Sequence, residues 1–259
     1  KRREEARPRR GAVLRLLANA ERRRVKAVFT DVDGTLLNSK HRLSEETIGM
    51  LKRAMDSGVP IVMATGKARG AWVGMMREQM GMSSDGWTLN GPGVFIQGLL
   101  VCDDQGNIVK RTLLTNEVVR QMNEFAAQRG VQIVAYTSDD EIVSAQADKY
   151  SDLLVPFSEP TPQTIGRDTM DLLSSGVGHP DAFKMILLAE EPTLAALRAD
   201  LEGAIEGVAC VTKAMERMLE VLPPGASKAS GVLQALELLG LKPGDCMALG
   251  DGENDLEML

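Results

Sequence analysis

The chain has 259 residues, of which 44% are hydrophobic and 25% are charged. This composition excludes a wholly disordered protein and is typical of a soluble globular chain with one large domain or two modest ones. Three widely spaced cysteines exclude a disulfide framework and a CxxC metal site, which favours a reducing compartment. The longest uncharged stretch, residues 86–102, is 17 residues long and is broken by glycines and a proline, so it is too short to span a bilayer.

The net charge of −6 is unevenly distributed along the chain. Residues 1–26 carry 11 Lys and Arg against three Glu, a balance of +8, and the rest of the chain stands at −14. The acidic body argues against a nucleic-acid-binding surface there. We predict a basic N-terminal arm over residues 1–24, with three interpretations: the remnant of a targeting peptide, a tail for nucleic acid or a membrane, or a solvated arm.

From residue 25 onward, strands and helices alternate. Residues 25–30 and 59–64 are short apolar runs that predict buried strands. Between them Ser44 is a candidate N-cap for a helix that Gly58 ends, and a second helix is predicted over about residues 69–81. This alternation predicts a parallel sheet covered by helices.

A different pattern begins after residue 90, where short strands are separated by turn-forming residues. The apolar runs predict strands at 94–96, 99–102, 108–114, 131–137, 141–145, 183–189 and 208–212. Helices are predicted between Thr115 and Gly130 and near residues 192–202, and residues 156–182 are predicted to be mostly loop. This mixture favours an α+β domain.

The last part of the chain returns to the first pattern. Its elements are predicted to be a strand at 218–222, a helix at 228–239 and a buried strand at 246–249. We therefore predict an α/β fold, in which residues 25–91 and 215–259 form a Rossmann-like parallel-sheet core. A smaller α+β domain, residues 92–214, is inserted between the two pieces.

Acidic side chains follow two of the predicted core strands. Asp31-Val32-Asp33-Gly34-Thr35-Leu36 comes directly after the first, and Gly250-Asp251-Gly252-Glu253-Asn254-Asp255 directly after the last. In parallel α/β sheets, ligands bind at the carboxyl ends of the strands. Two carboxylates spaced i, i+2 can serve as nucleophile and as general acid and base; surface aspartates in a polar loop are the alternative. Two acidic loops side by side need a cation between them, and hard oxygen ligands favour Mg²⁺.

Two further segments carry groups that suit a phosphate. Thr65-Gly66-Lys67 follows the second predicted strand, where a hydroxyl and a glycine amide can donate hydrogen bonds to phosphoryl oxygens. Thr65 as a helix N-cap is the alternative, and both can hold. Lys228 follows Pro223-Pro224-Gly225 at the start of a helix, where its charge could neutralise a carboxylate and a transferring phosphate. By itself such a residue is more often a surface lysine.

Together these segments resemble the haloacid dehalogenase (HAD) superfamily of phosphohydrolases, specifically the Cof-type (class IIB) branch, which has a large cap domain. The resemblance rests on DVDGTLL, ATGK, the Asn90-Gly91 pair, residues 225–228 and GDGENDLEML, which occur in the family's order. It extends from about Lys26 to Leu259. It implies that residues 92–214 are a cap domain and that the chain is a Mg²⁺-dependent phosphatase working through an aspartyl-phosphate.

The resemblance also implies roles for single residues. Asp31 attacks phosphorus, while Asp33 protonates the leaving alcohol and then deprotonates water. Thr65 and Lys228 complete the catalytic set, and they hold the phosphoryl group together with the Gly66 amide. The residues implied in substrate binding are Gly34, Gly66, Lys67, Asn90, Gly91 and Asn254. The residues implied in binding Mg²⁺ are Asp31, Asp33 through its carbonyl, Asp251 and Asp255, with Asn254 in support.

The chain departs from the family's pattern at two places. The family usually has Arg where Lys67 stands; Lys keeps the charge but lacks the bidentate fork, so we expect a different substrate contact. Family members usually continue past the last motif, so we expect a fragment in which apolar residues such as Leu256 and Leu259 are exposed and whose activity is open.

The sequence leaves several functions open. The leading prediction is a phosphatase acting on a small phosphorylated metabolite, such as a sugar phosphate, a flavin-precursor phosphate or a phosphorylated vitamin, with no nucleic acid or membrane as partner. The alternatives are a phosphotransferase or phosphomutase on the same core, a non-catalytic ligand-binding homologue, and a nucleic-acid-associated protein that works through residues 1–26. We expect a location in the cytoplasm or in an organelle interior such as a plastid.

Two isolated histidines, His41 and His179, are predicted to be surface or structural residues.

Overall fold

A computed structural model describes residues 24–81, 91–176, 178–213 and 215–259. Nearly all of the predicted basic arm and the predicted substrate-binding residue Asn90 lie outside these residues. The helices, in chain order, are α1 (Glu45–Asp56), α2 (Arg69–Met80), α3 (Asn116–Arg129), α4 (Arg167–Met170), α5 (Glu191–Ala204) and α6 (Lys228–Leu239). Short 3-10 helices lie at Ile96–Gly98, Ser151–Phe157, Pro243–Asp245 and Glu253–Asp255.

The described strands fall into three sheets. In chain order they are β1 (Ala27–Thr30), β2 (Ile61–Met63), β3 (Gly93–Phe95), β4 (Leu100–Cys102), β5 (Ile108–Arg111), β6 (Gln132–Tyr136), β7 (Ile142–Ser144), β8 (Gln163–Thr164), β9 (Lys184–Leu188), β10 (Cys210–Thr212), β11 (Met218–Leu222) and β12 (Cys246–Leu249).

A three-stranded parallel sheet, in the order β12–β1–β2, forms the centre of the core. Val28 lies opposite Ile61 on one side and Met247 on the other. Apolar side chains of β1 and β2 pack against α6 on one face of the sheet and against α1 and α2 on the other. This arrangement follows from the alternation of strand and helix in the sequence, and it confirms the predicted parallel-sheet core.

The last strand differs from the prediction of a buried strand at 246–249. Met247 and Leu249 of β12 are 46% and 39% exposed. Among the strands that the structure describes, β12 pairs only with β1, so it lies at the edge of the sheet. The prediction of burial was therefore wrong, because an apolar run does not reveal how many neighbours a strand has.

An antiparallel sheet of β3, β4 and β5 lies beside the core. Ala64, just after β2, forms a parallel bridge to Val94 of β3, so the two sheets are continuous at this point. Helix α6 packs closely on this sheet, since a Cβ at Gly231 would lie 2.4 Å from Val94 Cγ1. Residues 93–111, which the sequence assigned to the inserted domain, are thus in direct contact with the core.

A six-stranded sheet in the order β10–β11–β9–β6–β7–β8 forms the second large unit. Apolar side chains of α3, of α5 and of one face of this sheet pack together in one hydrophobic cluster. Strand β11 pairs with β9 in this sheet, although the sequence assigned Met218–Leu222 to the second core piece. The predicted domain limits, with residues 25–91 and 215–259 in the core and residues 92–214 in the inserted domain, stay a prediction.

The helix ends follow the local sequence signals. The Ser44 side chain accepts a hydrogen bond from Thr47 N and begins α1, and the Thr115 side chain accepts one from Val118 N and begins α3. Gly130 ends α3 in the left-handed conformation, as predicted. Within the described parts of the chain, no helix has the length and apolar character needed to cross a membrane.

Candidate active site

Side chains from three strand ends and one helix start meet in a single cavity. Asp31 follows β1, Thr65 lies after β2, Asp251 lies after β12, and Lys228 opens α6. Parallel strands end at the same edge of a sheet, so their following loops lie together. The predicted site residues that line the cavity are Asp31, Asp33, Gly34, Thr65, Gly66, Lys67, Lys228, Asp251 and Asn254. The fold therefore brings together residues from both core pieces.

Two carboxylates share the ammonium of Lys228. The Lys228 Nζ atom lies 2.6 Å from Asp31 Oδ1 and 2.8 Å from Asp255 Oδ1, and all three residues are buried. Burial raises the pKa of Asp31 from its ordinary value of 3.8 to about 6, although the positive charge of Lys228 acts in the opposite direction. Lys228 thus holds the Asp31 carboxyl group in place directly after β1.

Three carboxylates form an acidic cluster: Asp31, Asp251 and Asp255 each place an oxygen within 4.8 Å of the others. Asp255 Oδ2 accepts hydrogen bonds from the backbone N–H groups of Asp251 and Gly252, both at 3.0 Å. Asp251 is exposed, and Thr35 Oγ1 donates to its Oδ1 at 2.8 Å. Asp31 and Asp251 can present oxygens to a cation, and Asp255 holds the loop of Asp251 in position.

Gly34 brings the first acidic loop against the last. Its φ of 85° lies in the left-handed region that favours glycine. A Cβ at this position would lie 2.3 Å from Asp251 Oδ2. A larger residue would therefore push the Asp251 carboxylate away from the acidic cluster.

The loop after β2 contributes Thr65, Gly66 and Lys67. Thr65 is buried, and its Oγ1 accepts a hydrogen bond from Lys67 N at 3.2 Å. The N-cap of α2 is Ala68, so the alternative interpretation of Thr65 as a helix N-cap is wrong. Lys67 is buried as well, and its Nζ lies 3.0 Å from Asp33 Oδ2. Lys67 is thus directed at the second carboxylate of the first motif.

Some predicted site residues lie away from the cavity or outside the acidic cluster. Gly91 does not line the cavity; a Cβ there would lie 3.0 Å from Pro60 Cβ, so Gly91 packs beside the start of β2. Asn90, its predicted companion, lies outside the described residues. Asp33 lines the cavity, and its side chain is not one of the three clustered carboxylates.

A family profile, curated relatives and solved structures are similar to this chain. The profile of the haloacid dehalogenase-like hydrolases matches residues 28–259. The chain is 36% identical over 234 residues to the chloroplastic endoribonuclease YBEY of Arabidopsis thaliana, covering 90% of this chain and 39% of that protein. It is 31% identical over 229 residues to the HMP-PP phosphatase of Yersinia pseudotuberculosis, covering 88% of this chain and 78% of that protein. A HAD/COF-like hydrolase structure from Plasmodium vivax matches with a TM-score of 0.78 at 19% identity, over 91% of this chain and 81% of that one.

This chain belongs to the haloacid dehalogenase-like hydrolase family. The predicted resemblance to Cof-type HAD proteins is confirmed, and so is the predicted Rossmann-like core with an additional α+β unit. The HMP-PP phosphatase relatives support the predicted phosphatase. The chain spans 39% of the length of its Arabidopsis relative.

In this HAD chain the six-stranded sheet contributes polar cavity residues that the sequence analysis missed. Lys184 Nζ lies 2.8 Å from Glu220 Oε1 and donates to the Gly66 carbonyl oxygen at 2.9 Å. Gln97 Nε2 donates to Glu220 Oε2 at 2.6 Å, and Gln97 Oε1 accepts from Asn254 Nδ2 at 3.0 Å. The network joins the phosphate-binding loop predicted at Gly66 to the last acidic loop. One sequence signal could have found it: Lys184 and Glu220 are charged residues within otherwise apolar strands.

Two further residues approach the HAD motif unexpectedly. Glu159 is buried and accepts a hydrogen bond from Ala68 N at 3.2 Å, and burial raises its pKa to about 7. His41 Nδ1 lies 3.7 Å from Asp33 Oδ1, and its ring packs edge-on against Phe157. The prediction of His41 as an isolated residue did not anticipate this proximity, because the contact depends on a loop that no periodic pattern describes.

Proposed function

We propose that this chain is a Mg²⁺-dependent phosphatase that removes phosphate from a small phosphorylated metabolite through an aspartyl-phosphate on Asp31. The position of Asp31 supports this most strongly: it is buried at the end of β1, held by Lys228 and clustered with Asp251. Phosphoryl transfer depends on positioning and on neutralisation of charge, and this cavity offers both.

The acidic cluster fits a divalent cation of the Mg²⁺ type. Its donors are carboxylate oxygens, which are the hard ligands that Mg²⁺ prefers. Asp31 and Asp251 would hold the ion, together with the main-chain carbonyl of Asp33 that the family resemblance implies. When bound, Mg²⁺ would neutralise charge on the phosphoryl oxygens.

In the first step, a carboxylate oxygen of Asp31 forms a bond to phosphorus while the bond from phosphorus to the ester oxygen breaks. Lys228 touches Asp31 and is therefore placed to hold the phosphoryl group, with Thr65 and the Gly66 amide on the same cavity wall. Asp33 gives its proton to the leaving oxygen, so that a neutral alcohol departs.

In the second step, a water molecule attacks the phosphorus of the aspartyl-phosphate. Asp33, now ionised, takes a proton from this water. The bond between phosphorus and Asp31 breaks, which releases inorganic phosphate and regenerates the carboxylate. Asp33 thus acts first as an acid and then as a base within one turnover.

The six-stranded sheet forms one wall of the cavity through residues that include Tyr136, Lys184 and Met218. We propose that this sheet and its helices, from about residue 115 to residue 222, are the cap, which excludes water and selects the substrate. The HMP-PP phosphatase relatives support a small phosphorylated compound as substrate. The chloroplastic relative supports a plastid as the location of this chain.

Phosphate release from a panel of sugar phosphates, flavin-precursor phosphates and vitamin phosphates tests the proposal. We expect release that EDTA abolishes and added Mg²⁺ restores. A folded chain that releases phosphate from no member of the panel in Mg²⁺ would contradict the proposal. Product analysis separates hydrolysis from transfer, since a phosphotransferase would place the phosphate on a second hydroxyl compound.

Gly34→Ala is expected to weaken activation by Mg²⁺. The added Cβ would overlap Asp251 Oδ2, so the Mg²⁺ concentration that gives half-maximal activity should rise about 10- to 100-fold. A Mg²⁺ titration of phosphate release measures the change. Gly58→Ala is the matched control, because Gly58 also has a positive φ, 68°, but nothing lies within 4 Å of the Cβ position. The same Mg²⁺ requirement in both variants would show that Gly34 does not shape the cation site.

A further inference from the structure

We propose that Lys67 is a positioning residue that orients the Asp33 carboxyl group toward the leaving group, and that residues 157–159 hold the Lys67 side chain in place. The sequence suggested that Lys67 contacts the substrate. Its contacts in the structure favour another role, which rests on the phosphatase function proposed above. Three observations carry the inference: the partners of Lys67, the partners of Asp33, and the docking of residues 157–159 on the loop after β2.

The Lys67 ammonium has its partners within the protein. It is 3% exposed, lies 3.0 Å from Asp33 Oδ2 and donates a hydrogen bond to the Phe157 carbonyl oxygen. A lysine ammonium has three N–H donors, so these two contacts use most of its capacity. These contacts place the Lys67 ammonium against Asp33, which is the acid and base of the proposed mechanism.

Asp33 depends on this contact for its orientation. Its Oδ1 atom is buried and, among the described residues, has no hydrogen-bond partner; the His41 Nδ1 atom lies 3.7 Å from it. The contact of Oδ2 with Lys67 is therefore the strong interaction that fixes the carboxyl plane. General acid catalysis needs a donor oxygen within hydrogen-bond reach of the leaving oxygen, so the orientation of this plane matters.

Residues 157–159 contact Lys67 and Ala68 from the side of the six-stranded sheet. Phe157 accepts from the Lys67 ammonium through its carbonyl oxygen, and the Lys67 Nζ also lies 5.8 Å from the centroid of the Phe157 ring. Glu159 accepts from Ala68 N at 3.2 Å and 3.4 Å through its two oxygens. Two successive residues of the core loop are thus clamped by one short segment, which restricts where the Lys67 side chain can go.

The leaving group reveals whether Lys67 positions an acid or binds a phosphate. An ester with a good leaving group, p-nitrophenyl phosphate, needs little help from an acid, whereas benzyl phosphate, of similar size, needs a proton on its leaving oxygen. The ratio kcat/KM reports only the steps up to release of the first product, so it isolates this step from the later hydrolysis.

For Lys67→Met we expect kcat/KM to fall about 100-fold with benzyl phosphate and less than about fivefold with p-nitrophenyl phosphate. Lys67→Arg should restore most of the loss with benzyl phosphate, because it again places a cation near Asp33. If Lys67→Met does not fold, Lys67→Gln keeps a donor for the Phe157 carbonyl oxygen, and the same difference between the two esters is expected.

Lys184→Met is the matched control. Lys184 is a buried lysine of the same cavity, but it contacts the Gly66 carbonyl oxygen and Glu220 rather than Asp33. Its loss should reduce kcat/KM equally for both esters. An equal reduction in Lys67→Met would overturn the inference and return Lys67 to a phosphate contact. A folded wild type that releases phosphate from neither ester nor any member of the metabolite panel would overturn the proposed function as well, which distinguishes the two failures.

Discussion

Asp31→Asn is expected to abolish phosphate release and to raise the thermal stability of the metal-free protein at pH 7. The amide keeps the shape of the side chain but has no anionic oxygen to attack phosphorus, so the rate should fall by about 10⁴-fold or more. The gain in stability has a separate cause. Asp31 is 6% exposed, and its ionised form loses more solvation on burial than Lys228 returns.

The size and the pH dependence of this gain follow from the pKa of Asp31. Burial raises the pKa from 3.8 to about 6 in the folded protein. Between these values the folded state binds more protons than the unfolded state, so the free energy of unfolding decreases as the pH rises from about 4 to about 6. At pH 7 this decrease is on the order of 3 kcal/mol. The asparagine variant does not titrate, so its stability should change less over this range.

Thermal unfolding between pH 4 and pH 8 in EDTA measures the difference, and the phosphate assay in Mg²⁺ measures activity. Asp104→Asn, in an exposed turn after β4, is the control and should leave both properties nearly unchanged. Phosphate release by Asp31→Asn at the wild-type rate would remove Asp31 as the nucleophile. An inactive variant with wild-type stability at pH 7 would show instead that Lys228 fully offsets the burial of Asp31.

The core side of the cavity could be predicted because each of its loops directly follows an apolar run. Asp31 comes directly after β1, and Thr65 and Asp251 come two residues after β2 and β12. Once the strands are taken as parallel, these residues must meet at one edge of the sheet. Lys228 was placed there by the family resemblance, since a lysine that opens a helix after a Pro-Pro-Gly turn is by itself more often a surface residue. None of these steps requires knowledge of side-chain packing.

The contacts on the other side of the cavity could not be predicted, because these residues meet only through pairing between distant strands. The charges of Lys184 and Glu220 within apolar strands mark the two residues but do not show that they are neighbours. Lys184 and Glu220 are neighbours because β9 pairs with β11, a pairing that neither strand specifies alone. The sequence also did not indicate that β11 pairs with β9, since a buried strand has the same apolar pattern in any sheet. Gln97 reaches Glu220 from a left-handed backbone conformation, φ 58°, that its own residue type does not indicate.

Lys228→Met is expected to destabilise the protein strongly and to make its stability depend on Mg²⁺. The variant leaves Asp31 and Asp255 as two buried carboxylates without the ammonium that lies 2.6 Å and 2.8 Å from them. Removing one partner of a buried ion pair typically costs about 3–5 kcal/mol, which corresponds to a decrease in Tm of roughly 10 °C for a chain of this size. Phosphate release should fall about 10²- to 10³-fold, because a charge next to the nucleophile is lost.

Thermal unfolding with and without Mg²⁺ tests the physical argument. A cation bound by Asp31 and Asp251 would take over part of the neutralisation that Lys228 provides, so Mg²⁺ should raise the Tm of Lys228→Met more than that of the wild type. Lys213→Met is the matched control, because it removes a partly exposed lysine that pairs with Glu191, an ion pair worth about 0–1 kcal/mol. If Lys228→Met were no less stable than Lys213→Met, Lys228 would not stabilise the two buried carboxylates, and the argument from the ion pair would be wrong. If Mg²⁺ raised the Tm of Lys228→Met no more than that of the wild type, a cation at Asp31 and Asp251 would not replace the charge of Lys228.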